Sequence, residues 1–318
     1  MLKYDKIIVD SFNIYHRVAA CLGKLDKEKI KSLHKNNTVL TCYVSLIEKL
    51  LASTYGEVCV VFDPLLSTGD KSKRAVLRET YKANRPKDKI ETAFKQETLS
   101  RLYEALILSN QSRLKVYYDT EYEADDFVAK LTEKGNCLMM TSDYDWAKYL
   151  EDGRVDMLKK GLTIEDENIY TATDFENSKD HPFHPNIPSI IFWKAMYGDT
   201  SDDIEGAFTD PKVKVLREAD AEMKAILKLI GRENPPLQEL KYEFFNGAGR
   251  FAKLYQYLQL SSTEKSYERI LNTADINFQL VESLLPRSSD IDVEKFRIEI
   301  DLHIAKPVTQ KFTLGRKK

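Results

Sequence analysis

The chain has 318 residues, a formal net charge of −2 and 42% hydrophobic residues, a composition that suits one large or two modest globular domains. Its cysteines, Cys21, Cys42, Cys59 and Cys137, have apolar neighbours and no CxxC or Cys/His spacing, which predicts reduced core residues and argues against zinc. No apolar stretch reaches the roughly 18 residues of a spanning helix, and the N-terminus lacks a signal-peptide core. We therefore expect no membrane association and a cytoplasmic location.

The small net charge hides a basic segment between residues 71 and 89. This segment carries a charge of +6, which leaves −8 for the rest of the chain. A basic band opposite an acidic pocket suits a polyanion that is held by its backbone. A solvated helical face is the other interpretation, and it is the more common one for an arbitrary run of charges.

Acidic residues follow four short apolar runs that the pattern predicts to be strands of a mostly parallel α/β sheet. The runs are Lys6–Asp10, Val58–Phe62, Leu114–Tyr118 and Cys137–Met140, and we predict that the last two are neighbours. The acids at their ends are Asp10, Asp63, Glu123, Asp125, Asp126, Asp143 and Asp145. A single helix-capping Asp is unremarkable, whereas four acidic strand ends are not. Because open α/β sheets bind ligands beyond the carboxyl ends of their strands, we expect these acids to converge.

So many carboxylates in a small volume require protonation of some of them or a neutralising cation. Hard oxygen ligands in excess favour Mg²⁺, with Mn²⁺ as a substitute, over zinc. The sequence thus predicts a divalent-metal site at one edge of the sheet.

The segment from residue 64 to about residue 95 is polar, basic and weakly helical, and it is too long for an ordinary connection. Within it, Arg74, Arg78, Lys82 and Arg85 are spaced by 4, 4 and 3 residues, so a helix would place them on one face. Such a row matches successive phosphates of a nucleic acid.

Together these motifs resemble those of the 5'-nuclease superfamily, which includes flap endonucleases, the 5'-3' exonuclease domain of bacterial DNA polymerase I and phage-encoded 5'-exonucleases with RNase H activity. The resemblance rests on the order of Asp10-x-x-Asn13, Asp63, Arg74-(x)7-Lys82-x-x-Arg85-Pro86, Glu123-Ala-Asp125-Asp126, Thr141-Ser142-Asp143-x-Asp145 and Gly198-Asp199-x-Ser201-Asp202. The chain's modest length, with no polymerase attached, is most similar to the phage enzymes. A viral source would make its location the host cytoplasm.

The resemblance implies a PIN-like fold, in which helices flank a mostly parallel central sheet and a helical arch spans about residues 64–95. We predict a catalytic domain over residues 1–186 and a C-terminal helical DNA-binding domain over residues 187–318. In the second part, the pattern predicts helices over residues 187–197, 213–230, 237–245, 250–260 and 263–271. His181 and His184 precede this boundary, and the flanking prolines favour a domain boundary over a metal site.

The implied activity is two-metal hydrolysis of phosphodiester bonds near the 5' end of DNA. The implied substrates are DNA with a 5' flap, a nick or a free 5' end, and RNA:DNA hybrid if RNA primers are removed. By resemblance, one ion is held by Asp10, Asp63, Glu123 and Asp125, and the second by Asp143, Asp145 and Asp199, with Asp126 and Asp202 supporting them. Lys82 and Arg85 are the implied catalytic cations at the scissile phosphate, and Arg74 and Arg78 bind DNA nearby.

The chain departs from the family at two places. Where the family has an aromatic residue stacked on a base near the cut, this chain has His16, and either Tyr15 or the His16 imidazole is predicted to substitute. The family also has a glycine-rich hairpin that grips duplex phosphate and often holds K⁺. Residues 204–212 contain only Gly206, which puts a K⁺ site and duplex binding there in question.

The C-terminal tail from Lys306 adds five bases and no acids, which suits DNA, a replication protein such as a single-strand-binding protein or clamp, or disorder. The main alternative function is a non-catalytic branched-DNA-binding protein on the same fold, although none of the expected acids is missing. A dinucleotide-binding enzyme would need G-x-G-x-x-G after the first strand. A phosphotransferase with Asp10 as nucleophile would need an acid where Phe12 stands.

Overall fold

A six-stranded sheet lies at the centre of the fold in the computed structural model, which describes residues 3–22, 32, 37–64, 89–109, 111–179, 181, 183–213, 215–261, 264–283 and 285. The strands are β1 (Lys6–Asp10), β2 (Glu57–Val61), β3 (Leu114–Tyr117), β4 (Cys137–Met140), β5 (Val155–Leu158) and β6 (Ile169–Tyr170). They are arranged in the order β3-β2-β1-β4-β5-β6, and only β6 runs antiparallel to its neighbour. The predicted mostly parallel sheet is confirmed.

The predicted pairing of β3 with β4 is wrong, because β2 and β1 lie between them. Val9 of β1 is opposite Val60 of β2 on one side and Met140 of β4 on the other. The chain adds β2 and β3 on one side of β1 and then crosses over to add β4 and β5 on the other side. The strand order therefore reverses between β1 and β4, and a crevice at such a reversal is where open α/β sheets bind ligands.

Helices cover both faces of the sheet. The helices of the described residues are α1 (Ser11–Leu22), α2 (Thr38–Ser53), α3 (Lys89–Leu108), α4 (Ala124–Leu131), α5 (Ala172–Glu176), α6 (Ile187–Tyr197), α7 (Arg217–Glu233), α8 (Leu237–Phe245), α9 (Ala252–Ser261) and α10 (Glu264–Ser283). Short 3₁₀ helices occur at Tyr144–Tyr149, Asp166–Asn168 and Gly249–Phe251. Within the described part of the chain, no helix combines the length and the apolar character that crossing a membrane requires.

The last helix is longer than predicted, since α10 continues to Ser283 instead of ending near residue 271. Polar residues interrupt its apolar pattern, yet Ile270, Ala274, Phe278 and Val281 are all buried. Their spacing of 4, 4 and 3 residues places them on one face of the helix.

The buried apolar residues form two cores, one on each face of the sheet. Successive strand residues alternate between them: Ile7 and Val9 belong to the core under α1, α2 and α3, while Ile8 belongs to the other core. That second core also contains Phe192 of α6 and Phe278 of α10. Helix α6 begins at Ile187, and the helices that follow it share one continuous core with the sheet.

Candidate metal centre

Asp10 ends β1 beside the point where the strand order reverses. Its carboxylate accepts hydrogen bonds from the backbone N–H of Asn13 at 3.0 Å and from the hydroxyl of Thr141 at 2.8 Å. The residue is only 8% exposed. Desolvation, helped by the charges of Asp63 and Asp125 and opposed by the two hydrogen bonds, raises its pKa to about 7.

The loop after β2 and the first turn of α4 bring two further carboxylates to Asp10. Asp63 accepts a hydrogen bond from the backbone N–H of Ala124 at 2.8 Å, which ties this loop to the N-terminus of α4. The indole N–H of Trp146 donates to Oδ1 of Asp125 at 2.6 Å. A fully buried tryptophan thus holds one oxygen of Asp125 in position.

Glu123 and Asp126 form the start of α4. The backbone N–H of Glu123, the N-cap residue, donates to Oδ2 of Asp126 at 2.8 Å. Both residues are buried, at 6% and 4% exposure. One oxygen of Asp126 therefore stabilises the helix N-terminus that carries Glu123 and Asp125.

The turn after β4 adds Asp143 and Asp145. The Asp143 carboxylate accepts a hydrogen bond from the backbone N–H of Asp145 at 2.9 Å and caps the 3₁₀ helix Tyr144–Tyr149. Asp143 is an exposed residue, yet desolvation of its carboxyl and the charges of Asp145, Asp125 and Asp10 raise its pKa. Carboxylates from three separate segments of the chain thus act on one another electrostatically.

Two hydrogen bonds between Asn13 and Ser142 connect the segment after β1 to the segment after β4. The side-chain amide of Asn13 donates to Oγ of Ser142 at 2.8 Å, and the backbone N–H of Ser142 donates to Oδ1 of Asn13 at 3.1 Å. The contact links α1, which follows β1, to the turn that follows β4. It therefore helps to set the separation of Asp10 from Asp143.

A second group of carboxylates surrounds the ammonium of Lys194. Its Nζ lies 2.5 Å from Oδ1 of Asp145, 2.6 Å from Oδ2 of Asp199 and 3.3 Å from Oδ2 of Asp202. Within the described ranges, these three aspartates offer oxygens that all lie within 4.8 Å of one another. Asp145 belongs to the first group as well, so the two groups adjoin.

The charges in this second group stabilise one another. Burial by itself lowers the pKa of Lys194, but attraction by Asp145, Asp199 and Asp202 outweighs burial and raises it above the usual lysine range. Desolvation would raise the pKa of Asp199, yet the Lys194 ammonium and hydrogen bonds from Ser201 hold it below its usual value. Lys194 and Asp199 therefore form an ionised pair.

Two glycines allow the loop that carries Asp199 and Asp202 to pack closely against the end of α6. Gly198 ends α6 with a φ of 82°, and a Cβ added there would lie 2.6 Å from the carbonyl oxygen of Ile204. A Cβ on Gly206 would lie 2.4 Å from the carbonyl carbon of Tyr197. Gly206, the one glycine left in the hairpin region, thus allows the loop to pack on the end of α6.

A cleft of about 910 Å³ opens beside these groups, and its lining includes Asn13, Asp143, Asp145, Lys194 and Asp199. Trp193 and Tyr197 also line it, with their rings stacked at a centroid distance of 4.3 Å. The acidic groups are therefore accessible to a ligand from solvent.

One prediction for DNA contact needs correction. Tyr15 is only 2% exposed and packs in the core beneath α1, so its ring is not available to stack on a base. His16 is exposed, with its ring 5.2 Å from that of Tyr15. Of the two alternatives, only His16 presents its ring to the surface.

Most of the predicted arch lies outside the described residues, and so do Arg74, Arg78, Lys82 and Arg85. Their predicted roles therefore stay predictions. The last residues of the predicted arch, from Lys89 to Lys95, belong to α3, a helix of 20 residues.

Lys194 is the residue of this site that the sequence analysis missed. It is the single charged residue of α6, whose other residues are mostly apolar and buried. It also lies five positions before Asp199. A lone cation in an otherwise apolar helix, one turn before a cluster of acids, is the signal that could have revealed it.

Residues 5–179 match the family described as 5'-3' exonuclease, N-terminal resolvase-like domain. This match covers more than half of the chain, and the chain belongs to that family. The resemblance to the 5'-nuclease superfamily is thus confirmed. No curated protein sequence matches the chain.

Solved structures of bacteriophage T5 proteins share the fold. The T5 D15 protein co-crystallised with metal ions matches at 21% identity with a TM-score of 0.52, over 92% of this chain and 96% of that chain. A T5 flap endonuclease variant in a pseudo-enzyme–product complex with DNA and metal ions matches at 20% identity with a TM-score of 0.51, over 92% and 96%. A T5 5'-exonuclease with bound zinc matches at 21% identity with a TM-score of 0.50, over 91% and 96%.

Proposed function

We propose that this protein is a divalent-metal-dependent 5' nuclease, which hydrolyses phosphodiester bonds near the 5' end of DNA that carries a flap, a nick or a free 5' end. The observation that carries the proposal is the convergence of carboxylates from separate segments of the chain. Asp10, Asp125, Asp143 and Asp145 act on one another electrostatically, and Asp199 joins them through Lys194. Family membership supports the reaction class.

The donor set fits a hard divalent ion. Carboxylate oxygens are its ligands, and the raised pKa values of Asp10 and Asp143 reflect desolvation and mutual repulsion that a cation would relieve. Mg²⁺, with Mn²⁺ as a substitute, suits such oxygen ligands. One ion is assigned to Asp10, Asp63, Glu123 and Asp125, and the second to Asp143, Asp145 and Asp199, with Asp126 and Asp202 in support.

When bound, such a pair of ions lowers the pKa of an attacking water and neutralises charge on the phosphoryl and leaving oxygens. The protein's own contribution is to orient the ligands in advance. Thr141 and Asn13 hold Asp10, and Trp146 holds Asp125, so the carboxylates lose little freedom when the ions bind.

DNA contacts complete the proposal. Lys82 and Arg85 would place cations at the scissile phosphate, where exclusion of water strengthens them. Arg74 and Arg78 would hold a neighbouring phosphate, and His16 would stack on a base. We also propose RNA:DNA hybrid as a substrate in primer removal, and a replication protein as a partner of the C-terminal region.

One observation favours a second candidate, a DNA-structure-binding protein without catalysis. The Lys194 ammonium already neutralises part of the charge of Asp145, Asp199 and Asp202 without any metal. A protein that binds branched DNA and lacks a second ion would need such a cation. Cleavage in the presence of Mg²⁺ but not EDTA distinguishes the nuclease from this candidate.

The test uses 5'-labelled flap, nicked and RNA:DNA substrates, with product mapping in Mg²⁺ and in EDTA. We expect Asp145→Asn to lower the cleavage rate by about 10³-fold, because the second ion loses a charged ligand, while flap-DNA affinity measured in EDTA stays nearly unchanged. The matched control is Asp166→Asn, which removes an exposed carboxylate from the 3₁₀ helix Asp166–Asn168. Full activity of Asp145→Asn, or cleavage that persists in EDTA, would overturn the proposal.

A further inference from the structure

We propose that Lys194 is a built-in counter-cation of the second metal site, which a divalent ion must displace before it can bind to Asp145 and Asp199. This inference rests on the proposed function, since it concerns the metal site of the proposed nuclease. It assigns to Lys194 control over how readily the second ion enters.

The geometry places the ammonium where an ion would lie. Three carboxylates surround Nζ at 2.5, 2.6 and 3.3 Å. They come from two separated segments, since Asp145 lies in the 3₁₀ helix after β4 and the other two in the loop after α6. The Lys194 side chain is only 12% exposed, so it is enclosed by the site and does not reach across it from the surface.

An ion that binds these oxygens would lie close to the ammonium, and two cations at such a distance repel each other. A Mg²⁺ ion binds carboxylate oxygens at about 2.1 Å and requires most of the space around them. The oxygens of Asp145 and Asp199 are already engaged at hydrogen-bond distance by Nζ. Binding of an ion between them would therefore push the ammonium out of its present position, and the two cations compete.

The competition is confined to the second site. The ion pairs of Lys194 go to Asp145, Asp199 and Asp202, whereas Asp10 and Asp63 are positioned by Asn13, Thr141 and Ala124. Loss of the lysine charge should thus strengthen the second site and leave the first nearly unchanged. In metal-free protein, it should also leave three close carboxylates without their counter-charge, which is destabilising.

The experiment is a calorimetric titration of the full chain with Mn²⁺ in the absence of DNA, for the wild type, Lys194→Met and Lys194→Gln. We expect both variants to bind one of the two ions at least about tenfold more tightly than the wild type does, while the affinity for the other ion changes by less than about threefold. The matched control is Lys160→Met, which removes the same charge from an exposed lysine. This control should reproduce both wild-type affinities.

Thermal melting provides a second readout. In EDTA, we expect Lys194→Met to melt several degrees below the wild type, and we expect saturating Mn²⁺ to narrow that gap. A variant that folds only when Mn²⁺ is present would also support the proposal, because the ion would then replace the missing ammonium. Lys194→Gln, which keeps hydrogen-bonding capacity without charge, should behave in the same way.

Different results would overturn the role of Lys194 and the nuclease proposal. A wild type that binds two ions, with affinities that neither Lys194 variant changes, would overturn the role of Lys194 and leave the nuclease proposal intact. A wild type and variants that bind no Mn²⁺ at all would overturn both.

Discussion

Asp10 shows what burial does to a single carboxylate at this site. Its pKa of about 7 lies above the ordinary value of 3.8, mainly because the side chain is desolvated. A group of this kind binds more protons in the folded state than in the unfolded state between those two values. Its contribution to stability is therefore complete below the ordinary pKa of 3.8 and is lost as the pH rises through the folded-state pKa of about 7.

We expect Asp10→Asn to change the pH dependence of stability in metal-free protein. Between pH 5 and pH 8 in EDTA, the free energy of unfolding of the wild type should fall by roughly 2 to 3 kcal/mol relative to that of the variant, because only the wild type acquires a buried charge. Urea unfolding at successive pH values measures this difference.

In Mg²⁺, the free energy of unfolding of the wild type should fall less over the same pH range, since an ion near Asp10 compensates its charge. Asp166→Asn, at an exposed site, should run parallel to the wild type at every pH. A difference between Asp10→Asn and the wild type that stays constant across the pH range would contradict the raised pKa.

Adjacent acids at this site differ in their surroundings. Asp125 accepts the Trp146 indole N–H and is partly exposed, whereas Asp126 is buried and accepts the N–H of Glu123. Successive residues of a helix point about 100° apart, so only one of such a pair faces a given site. Sequence motifs place both acids near the site, and the fold separates their roles.

At the scale of elements, the loop from Gly198 to Gly206 determines where the second group of carboxylates lies. Its two glycines allow the backbone to approach the end of α6 more closely than any side chain permits. The loop closes on itself through a backbone bridge between Asp199 and Ile204. The position of Asp199 thus depends on two residues that bear no functional group.

We expect Gly198→Ala to destabilise the protein by about 3 kcal/mol or more, because a positive φ and a clash with backbone atoms add together. Gly153→Ala is the matched control: Gly153 has a φ of 79°, close to the 82° of Gly198, and nothing lies within 4 Å of an added Cβ. Gly153→Ala should lower the free energy of unfolding by only about 1 to 2 kcal/mol, through backbone strain alone. Urea unfolding compares the two, and equal losses would show that the close approach contributes nothing.

At the scale of the whole molecule, the sheet joins the two cores, and the C-terminal helices are part of one of them. Phe192 of α6 packs against Phe251 and Phe278 at centroid distances of 5.4 and 4.6 Å, in the same core as Met139 of the sheet. Unfolding of the helical part would therefore expose one face of the sheet.

We expect a single cooperative unfolding transition, because the helical part and the sheet share this core. Tryptophan fluorescence reports on Trp146, which is buried in the shared core, and on Trp193, which packs against that core, and far-UV circular dichroism reports on all helices. The two melting curves, measured in EDTA, should coincide. Separate transitions would instead support the two-domain division at residue 186.

Much of this organisation is encoded locally. Short apolar runs that end in acids predict the parallel strands and the metal-ligating edge, because the carboxyl ends of parallel strands share one edge whatever their order. The family motifs predict that Asp10, Asp63, Asp125, Asp143 and Asp199 belong to one site. The local sequence also predicts α6 and its end at the cap residue Gly198, which the structure confirms.

By itself, then, the sequence determined which acids end the strands and where many of the helices lie, since those properties depend on residues close together in the chain. Only the tertiary structure decided the order of the strands, the burial of Tyr15 and the position of Lys194 among three carboxylates. Strands buried on both faces carry no pattern that identifies their neighbours. A lysine on one helix likewise has no local signature of the aspartate, 49 residues earlier, that it meets in the fold.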